Sequence, residues 1–566
     1  MNYYCRKRLG LYLICLANIF SVQSQSKIDM EQTKISVTDF GAIPDDNRDD
    51  TSALRHAAEY CRKHPGTTLV MPAGIYRLRD SKAEKLEKEV LEGKMGANPE
   101  RVIFTPYYPY VQGLNFDGSE SVVIEAMGAI IMCEGWMEPL SIVNCRNFVV
   151  NGLTIDYKHK PFSQGIVHSI DKESFVVRFD SRREITNEMP ITRMILWDKD
   201  ISGVYATPFY FPKRKLLGDN LVEFKGKLSE RMLGASLAAL HSFHFRPAIF
   251  IENSKSVLLK RVTIHSQPGM GIVGFDSSDI TMNGLSVTPA DGYMFSTNTD
   301  ATHFAGCEGL ISFDGCFFHG QGDDATNVHG YYHNITALEG DVATLELTAP
   351  TFTHAQITDV PRVGDKMELV RVSTLVPERV LEVVEVEHEP KAIDVKVRLK
   401  GELPQNIKEF YLFNITKLPR LEFRRSIVWG QLARGVLAKT RSVKIEDNIF
   451  RGCTGTAIHV GAESGWKEGT HSEDVIIANN MIIDCGLGSG CQYGASGIAV
   501  VIDAPDTQST VLHDKVCIIN NTIIGVKENE CGISVRNARN VKLMNNHIEG
   551  CKENVMLHSV KNIIVE

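Results

Sequence analysis

The sequence predicts an all-β chain wound as a parallel β-helix, with an N-terminal cap and two small inserted antiparallel β domains. Three features carry that prediction. A two-strand unit recurs eight times, a capped helix precedes the first unit, and two stretches interrupt the series with strands of a different rhythm.

The units are NCRNFVVNGLTIDY from Asn144, NSKSVLLKRVTIHS from Asn253, DSSDITMNGLSVTP from Asp276 and CEGLISFDGCFFHG from Cys307. They continue with TRSVKIEDNIFRG from Thr440, SEDVIIANNMIIDC from Ser472, DKVCIINNTIIGV from Asp514 and NARNVKLMNNHIEG from Asn537. Each opens polar, runs through an apolar strand, turns on a polar pair that often holds Asn or Gly, and ends in a second apolar strand. Asn and Gly tolerate the left-handed backbone that a corner demands. Asn283 to Asp314 spans 31 residues and Asn521 to Asn546 spans 25, the length of one solenoid coil. Unrelated sandwich domains would not repeat one pattern this often.

The cap reads as a short strand and turn over Ile35–Ala42, then a polar loop from Asp45 to Asp50. Asp50 or Thr51 is placed to cap a helix running to about Lys63, with Leu54, Ala57, Ala58 and Cys61 on one face. Pro65-Gly66 stops it, and Thr68–Met71 is a strand that turns through Pro72-Ala73-Gly74 into the next. A solenoid needs such a cover over the open end of its core.

The interruptions cover residues 162–246 and 331–419. The first holds the alternating run Ser174–Phe179; the second has a hairpin turning at Glu339-Gly340-Asp341 into Val342–Leu347. Both read as small barrel-like domains. The chain therefore divides into a leader (1–25), the cap and first coils (26–161), an insertion (162–246), coils 247–330, a second insertion (331–419) and C-terminal coils (420–566).

The leader has the basic residues Arg6, Lys7 and Arg8, then an apolar run from Leu9 to Val22 that is short for a membrane span. Cleavage near Gln25 and export are expected, rather than a retained anchor. No other apolar run approaches spanning length, so stable membrane insertion is not expected. The 566 residues carry a formal net charge of −8 with no basic tract, which argues against a nucleic-acid partner and for a neutral or weakly charged one. Of 13 cysteines, two lie in the leader and the rest form no C-x-x-C pair, so core packing is expected rather than zinc, redox or disulfide chemistry.

One stretch, STNTDATHFAGCEGLISFDGCFFHGQGDDATNVHG from Ser296 to Gly330, breaks the bland pattern of the coils. Asp300 precedes Asp323 and Asp324 by about one coil, which sets the carboxylates on neighbouring strands about 4.8 Å apart. Crowded carboxylates drive their pKa values apart and divide into acid and base. Gly320 and Gly322 give the backbone freedom to aim both Asp323 and Asp324. Any one of these Asp residues alone would read as a corner cap; together they read as catalytic. His303, Asn327 and His329 lie beside them, and His459, Glu463 and Trp466 on a later coil are candidates for binding hydroxyls or stacking on a sugar ring.

An NTD followed one coil later by a GDD resembles the polygalacturonase-type β-helix glycosidases. The chain departs from them where it shows Gly455–Gly461 (GTAIHVG) and Leu437–Arg441 (LAKTR) in place of their later motifs. The fuller pattern of DFGA and PAGIY in the cap, NTDATHFAGCEG, GQGDDATNVHG and GTAIHVGAESG resembles glycoside hydrolase family 110, the bacterial α-1,3-galactosidases. The resemblance implies a right-handed pectin-lyase-like β-helix and inverting removal of terminal α-1,3-linked galactose, as on the blood-group B antigen or linear α-1,3-galactosyl epitopes. It implies Asp323 as general acid, Asp300 and Asp324 as the pair that holds and deprotonates water, galactose-terminated glycans as partners, and a periplasmic or secreted bacterial enzyme. No metal or cofactor is needed for that chemistry. A pectin hydrolase, a calcium-dependent lyase and a non-catalytic carbohydrate-binding β-helix are the alternatives.

Overall fold

A computed structural model describes residues 33–566 except 106–107, 199–202, 205–207, 348–358, 391, 489, 492–494, 508–509 and 526–528. The expected leader lies outside the described residues. No described helix is long and apolar enough to cross a membrane.

The chain winds as a right-handed parallel β-helix with three faces. One coil illustrates the rest: Ile272–Phe275 lies on the first face, Ser278–Asn283 on the second and Ser286–Val287 on the third, and Thr302–Ala305 begins the next coil. Adjacent coils pair in parallel, as Ile272↔Thr302, Ile280↔Ile311 and Ser286↔Phe317. Alternation decides what faces inward. Phe304, Val328 and Ala438 point into the core, and Phe313, Phe423 and Phe450 stack along the axis with centroids 5.1 and 6.2 Å apart. Their neighbours His303, Asn327 and His329 therefore point out of the first face. At the corners, Asn144, Asn253 and Asp276 hold φ of 53°, 45° and 47° on successive coils, where short polar side chains tolerate the left-handed region.

The cap helix spans Thr51–Lys63 and buries Leu54, Ala57, Ala58 and Cys61 against the end of the core. Asp50 sits at its N-cap but does not cap it. Its carboxylate instead accepts from the backbone N–H of Ile43 and Arg77, while Asp49 accepts from Thr51. Asp50 thus ties loop to strand, a long-range use that local pattern does not reveal. A second helix, Ser81–Leu91, has Asp80 as a working N-cap and has no counterpart in the expectations from sequence.

The second insertion is a closed barrel. Thr326–Glu339, Val342–Glu346, Asp394–Lys400, Pro377–Glu387, Lys366–Arg371 and Phe410–Asn414 pair in that order, and the last pairs with the first. The first insertion is an open antiparallel sheet among the described residues, not the barrel expected. Its strands Arg193–Asp198 and Ser236–Leu240 bury both faces. Met194, Leu196, Leu237 and Ala239 enter the insertion's own core, while Ile195, Trp197, Ala238 and Leu240 pack on Phe295 and Leu432 of the β-helix. A sheet with a second apolar face to cover is held flat against its neighbour instead of closing on itself. All eleven cysteines of the described residues are free.

Candidate active site

The coils that carry Asp300, Asp324 and Arg434 enter the first face through the same corner, a bend of two residues followed by one polar or charged residue. Parallel register stacks these corners. Thr302 pairs with Thr326 and Thr326 with Val436, so two residues earlier Asp300, Asp324 and Arg434 form a column. The backbone ties it together, with Ala301 N–H donating to Asp324 O at 2.9 Å and Ala325 N–H to Arg434 O at 3.1 Å. Asp323 occupies the bend itself. No side chain fits at Gly322, where a Cβ would come 2.1 Å from the carbonyl oxygen of Asn298. Close approach is what this glycine permits, and it lets both aspartates leave the strand direction.

The three carboxylates converge, with one oxygen from each lying within 4.8 Å of the others. Asp300 and Asp324 form the buried floor, 6% and 4% exposed, whereas the Asp323 side chain is 35% exposed. Burial, and next the charge of Asp323, hold Asp300 well above the usual carboxylate range. Burial also holds Asp324 well above it, against the opposing pull of Arg434. The upward push thus falls on the buried pair. Arg434 N–H donates to Asp324 Oδ1 at 2.6 Å, and its guanidinium stands 3.6 Å from the same oxygen. Arg193, from the first insertion, lies 3.8 Å from Asp323 and donates to Asn298 O at 2.6 Å.

A buried ring of charge continues from this floor. Arg434 donates to both oxygens of Glu463 at 3.1 and 3.0 Å, and Lys439 reaches Glu463 at 2.6 Å and Glu468. Burial opposes ionisation of Glu463, but Arg434 and Lys439 hold it down at about 2. Asn327 donates to Glu468 at 3.1 Å, and Asp300 meets His303 Nδ1 at 2.7 Å. The pocket over these groups is small, about 110 Å³, and is lined by His244, Met270, the three Asp residues, His303, Asn327, Arg434, Glu463, Trp466 and Glu468. A larger cavity of about 570 Å³, beside Glu87 and Met189, lies away from the carboxylates.

Of the residues expected to bind substrate, His303, Asn327, Glu463 and Trp466 line the pocket, Trp466 half-exposed at its rim. His329 and His459 do not reach it. Both are 0% exposed, and burial pushes His459 down to about 3. The loop from Glu463 to Thr470 runs over this face, pairing Gly330 with Gly469 and Tyr331 with Glu468, and covers what period-two alternation had pointed outward. Among the described residues the second insertion contributes none to the lining. It props that loop instead, since Tyr332 N–H donates to Lys467 O at 2.9 Å and the Tyr332 ring fills the space over Gly469.

Arg193, His244, Arg434 and Glu468 complete the site without having been singled out; Lys439, in the run LAKTR, read no better than solvated surface and is 0% exposed. A signal for Arg434 does exist: Gly430-Gln431-Leu432-Ala433-Arg434 repeats the corner Gly320-Gln321-Gly322-Asp323-Asp324 after the insertion.

No family model matches the chain. Curated relatives do. The chain is 27% identical over 538 residues to the α-1,3-galactosidase A of Bacteroides fragilis (strain YCH46), covering 90% of this chain and 86% of that one. It is 27% identical over 530 residues to the α-1,3-galactosidase B of Parabacteroides distasonis, covering 86% and 83%. Solved structures with overall likeness include the A-module of a mannuronan C-5 epimerase from Azotobacter vinelandii (13% identity, 94% of this chain and 99% of that one, TM-score 0.42). Site and relatives together define a glycoside hydrolase of the α-galactosidase class. The resemblance to the bacterial α-1,3-galactosidases that the motifs carry therefore holds over about nine-tenths of the chain.

Proposed function

We infer that this protein is an exo-acting, inverting α-1,3-galactosidase that removes terminal galactose from glycans such as the blood-group B antigen or linear α-1,3-galactosyl epitopes. The observation that carries the reading is the three-carboxylate floor of a pocket of about 110 Å³. That is far below the roughly 300–1,000 Å³ of pockets that enclose drug-sized ligands, and it suits one terminal residue better than a chain lying along a groove. A binding module would have no use for three converging, mutually repelling carboxylates, two of them buried. A pectin hydrolase would need a cation for the galacturonate carboxylate, and Arg434 and Lys439 are already engaged by Asp324, Glu463 and Glu468.

In this reading Asp323, the carboxyl that reaches open space, donates a proton to the leaving oxygen as the C1–O bond breaks. Asp300 and Asp324 hold a water and take its proton as its oxygen attacks C1. Protons shared within the cluster then restore Asp323. Export to the periplasm or beyond, supported by the composition of the leader, would bring the enzyme to such glycans.

The carboxyl spacing favours a second reading. Most inverting pairs stand about 6.5–9.5 Å apart to admit water, and retaining pairs about 5–5.5 Å; here the nearest oxygens lie within 4.8 Å. Inversion then requires the water to sit over the buried pair, not between two walls. NMR of the first product decides the matter: β-galactose is expected, and α-galactose would make Asp323 a nucleophile. Incubation with linear and fucosylated substrates, assayed for free galactose, tests the acceptor range.

A further inference from the structure

Behind Asp300 lies a row of buried nitrogen atoms. Asp300 Oδ2 is 2.7 Å from His303 Nδ1, His303 Nε2 is 2.7 Å from His329 Nε2, and His329 Nδ1 is 3.0 Å from the carbonyl oxygen of Gly330. Glu468 Oε1 stands 3.7 Å from His329 Nε2.

The protons in this row can be counted. A carbonyl oxygen only accepts, so His329 Nδ1 carries a hydrogen. Two bare imidazole lone pairs would repel at 2.7 Å, so one proton lies between the two Nε2 atoms. A metal ion does not fit that gap: two imidazoles on a tetrahedral zinc at about 2.0–2.1 Å would stand roughly 3.3 Å apart. Two arrangements keep His303 neutral, the form that its burial and His329 favour. With the shared proton on His303 Nε2, a neutral His303 has a bare Nδ1 and Asp300 must be the protonated donor. With it on His329 Nε2, His329 is an imidazolium facing Glu468, His303 donates Nδ1–H, and Asp300 is a carboxylate.

We propose that His303 and His329 are positioning residues that act as a proton relay, switching Asp300 between acid and carboxylate without exchange with solvent. The switch is a paired shift: the Asp300 proton moves to His303 Nδ1 as the His303 Nε2 proton moves to His329 Nε2. The net charge is unchanged, and an Asp300 carboxylate and a His329 imidazolium appear together. The relay answers a difficulty in the site. Burial favours a protonated Asp300, yet a base must be ionised when water attacks. Burial first, and then His329 for His303, keep the two imidazoles neutral at rest, so the parked proton is transient. Glu468 faces the imidazolium; Lys439, His244, Asp359 and the Tyr331 ring, 4.8 Å from His329, complete its surroundings. After attack the proton taken from water passes from Asp300 to Asp323, and the one on His329 returns to Asp300.

The proposal rests on Asp300 acting as base, and two measurements separate the ideas. Nitrogen-15 NMR of the histidines in the whole protein reads the relay alone. One strongly downfield N–H···N proton shared by His303 and His329 is expected, with His329 Nδ1 protonated. Two unshared rings, or a stoichiometric metal that abolishes the signal, would overturn it whatever the reaction. The pH profile of His329→Gln then reads its use. The glutamine keeps hydrogen-bonding capacity but takes no proton, so the acidic limb of kcat should move up by about one pH unit or more, a tenfold loss at low pH recovered at high pH. A uniform loss at every pH would mean a merely structural role. α-Galactose as the first product would remove the catalytic reading and leave the NMR result standing.

Discussion

At one corner of the β-helix Asn448, Asn480, Asn521 and Asn546 stack on successive coils; at another Asp300, Asp324 and Arg434 do the same. In the asparagine column each side-chain oxygen accepts from the coil before it, as Asn480 Oδ1 does from the N–H and Nδ2 of Asn448 at 3.1 and 2.9 Å. Asn521 and Asn546 repeat the pattern, and each Nδ2 also reaches a strand carbonyl, that of Asn480 donating to Ile445 O at 3.0 Å. An amide offers both donor and acceptor, so a stack of amides satisfies itself. A carboxylate only accepts, so the same stacking crowds charge. The fold supplies one geometry; the side chain decides whether it becomes a clamp or a strained, proton-holding site.

The comparison breaks most sharply at Asp323. Asp323→Asn should cost about 10²–10⁴-fold in hydrolysis of a galactosyl disaccharide, whose leaving group needs a proton. It should spare more activity on an aryl galactoside with an acidic phenol. Asp324→Asn should damage both substrates alike, and steady-state kinetics on the two tell the roles apart.

Next comes the reverse exchange. Asn480→Asp puts a carboxylate oxygen where Nδ2 now donates to Asn521 and Ile445. Loss of about 1–3 kcal/mol is expected, more when the group is ionised. Burial would raise the pKa of the new carboxyl, so the loss should be small below about pH 4 and grow as pH rises through that raised value. Denaturant melts at several pH values measure it; activity at temperatures below the melt should be unchanged.

Asp300→Asn should act with the opposite sign. A carboxyl raised in the folded state makes the native protein bind more protons than the unfolded one, so its stability falls as pH climbs above the ordinary carboxylate value. Removing the group should raise Tm by about 1–2 °C at pH 8 and not at all near pH 4, although activity is lost. A drop in Tm at pH 8 would show that the His303 contact outweighs the repulsion. Smallest is Trp466→Ala: KM should rise about three- to tenfold, as for lost ring contact, with little change in kcat.

The coil rhythm, the cap helix Thr51–Lys63, the two interruptions and the NTD and GDD clusters were all legible, because alternation, capping and period are local properties of sequence. The same reasoning failed where one residue's partner lies far along the chain. Asp50 was legible as a helix cap but binds Ile43 and Arg77 instead. His329 was correctly pointed outward, yet a loop more than a hundred residues further on covers it. Arg434 sits directly beside Asp324 across 110 residues of chain. Loop closure costs only logarithmically more as an insertion lengthens, so a β-helix resumes its register after a whole domain as readily as after a turn. The sequence by itself therefore determined the coil and its carboxylates; only the tertiary structure decided which charges stack on them, which imidazoles lie behind them, and what covers the face.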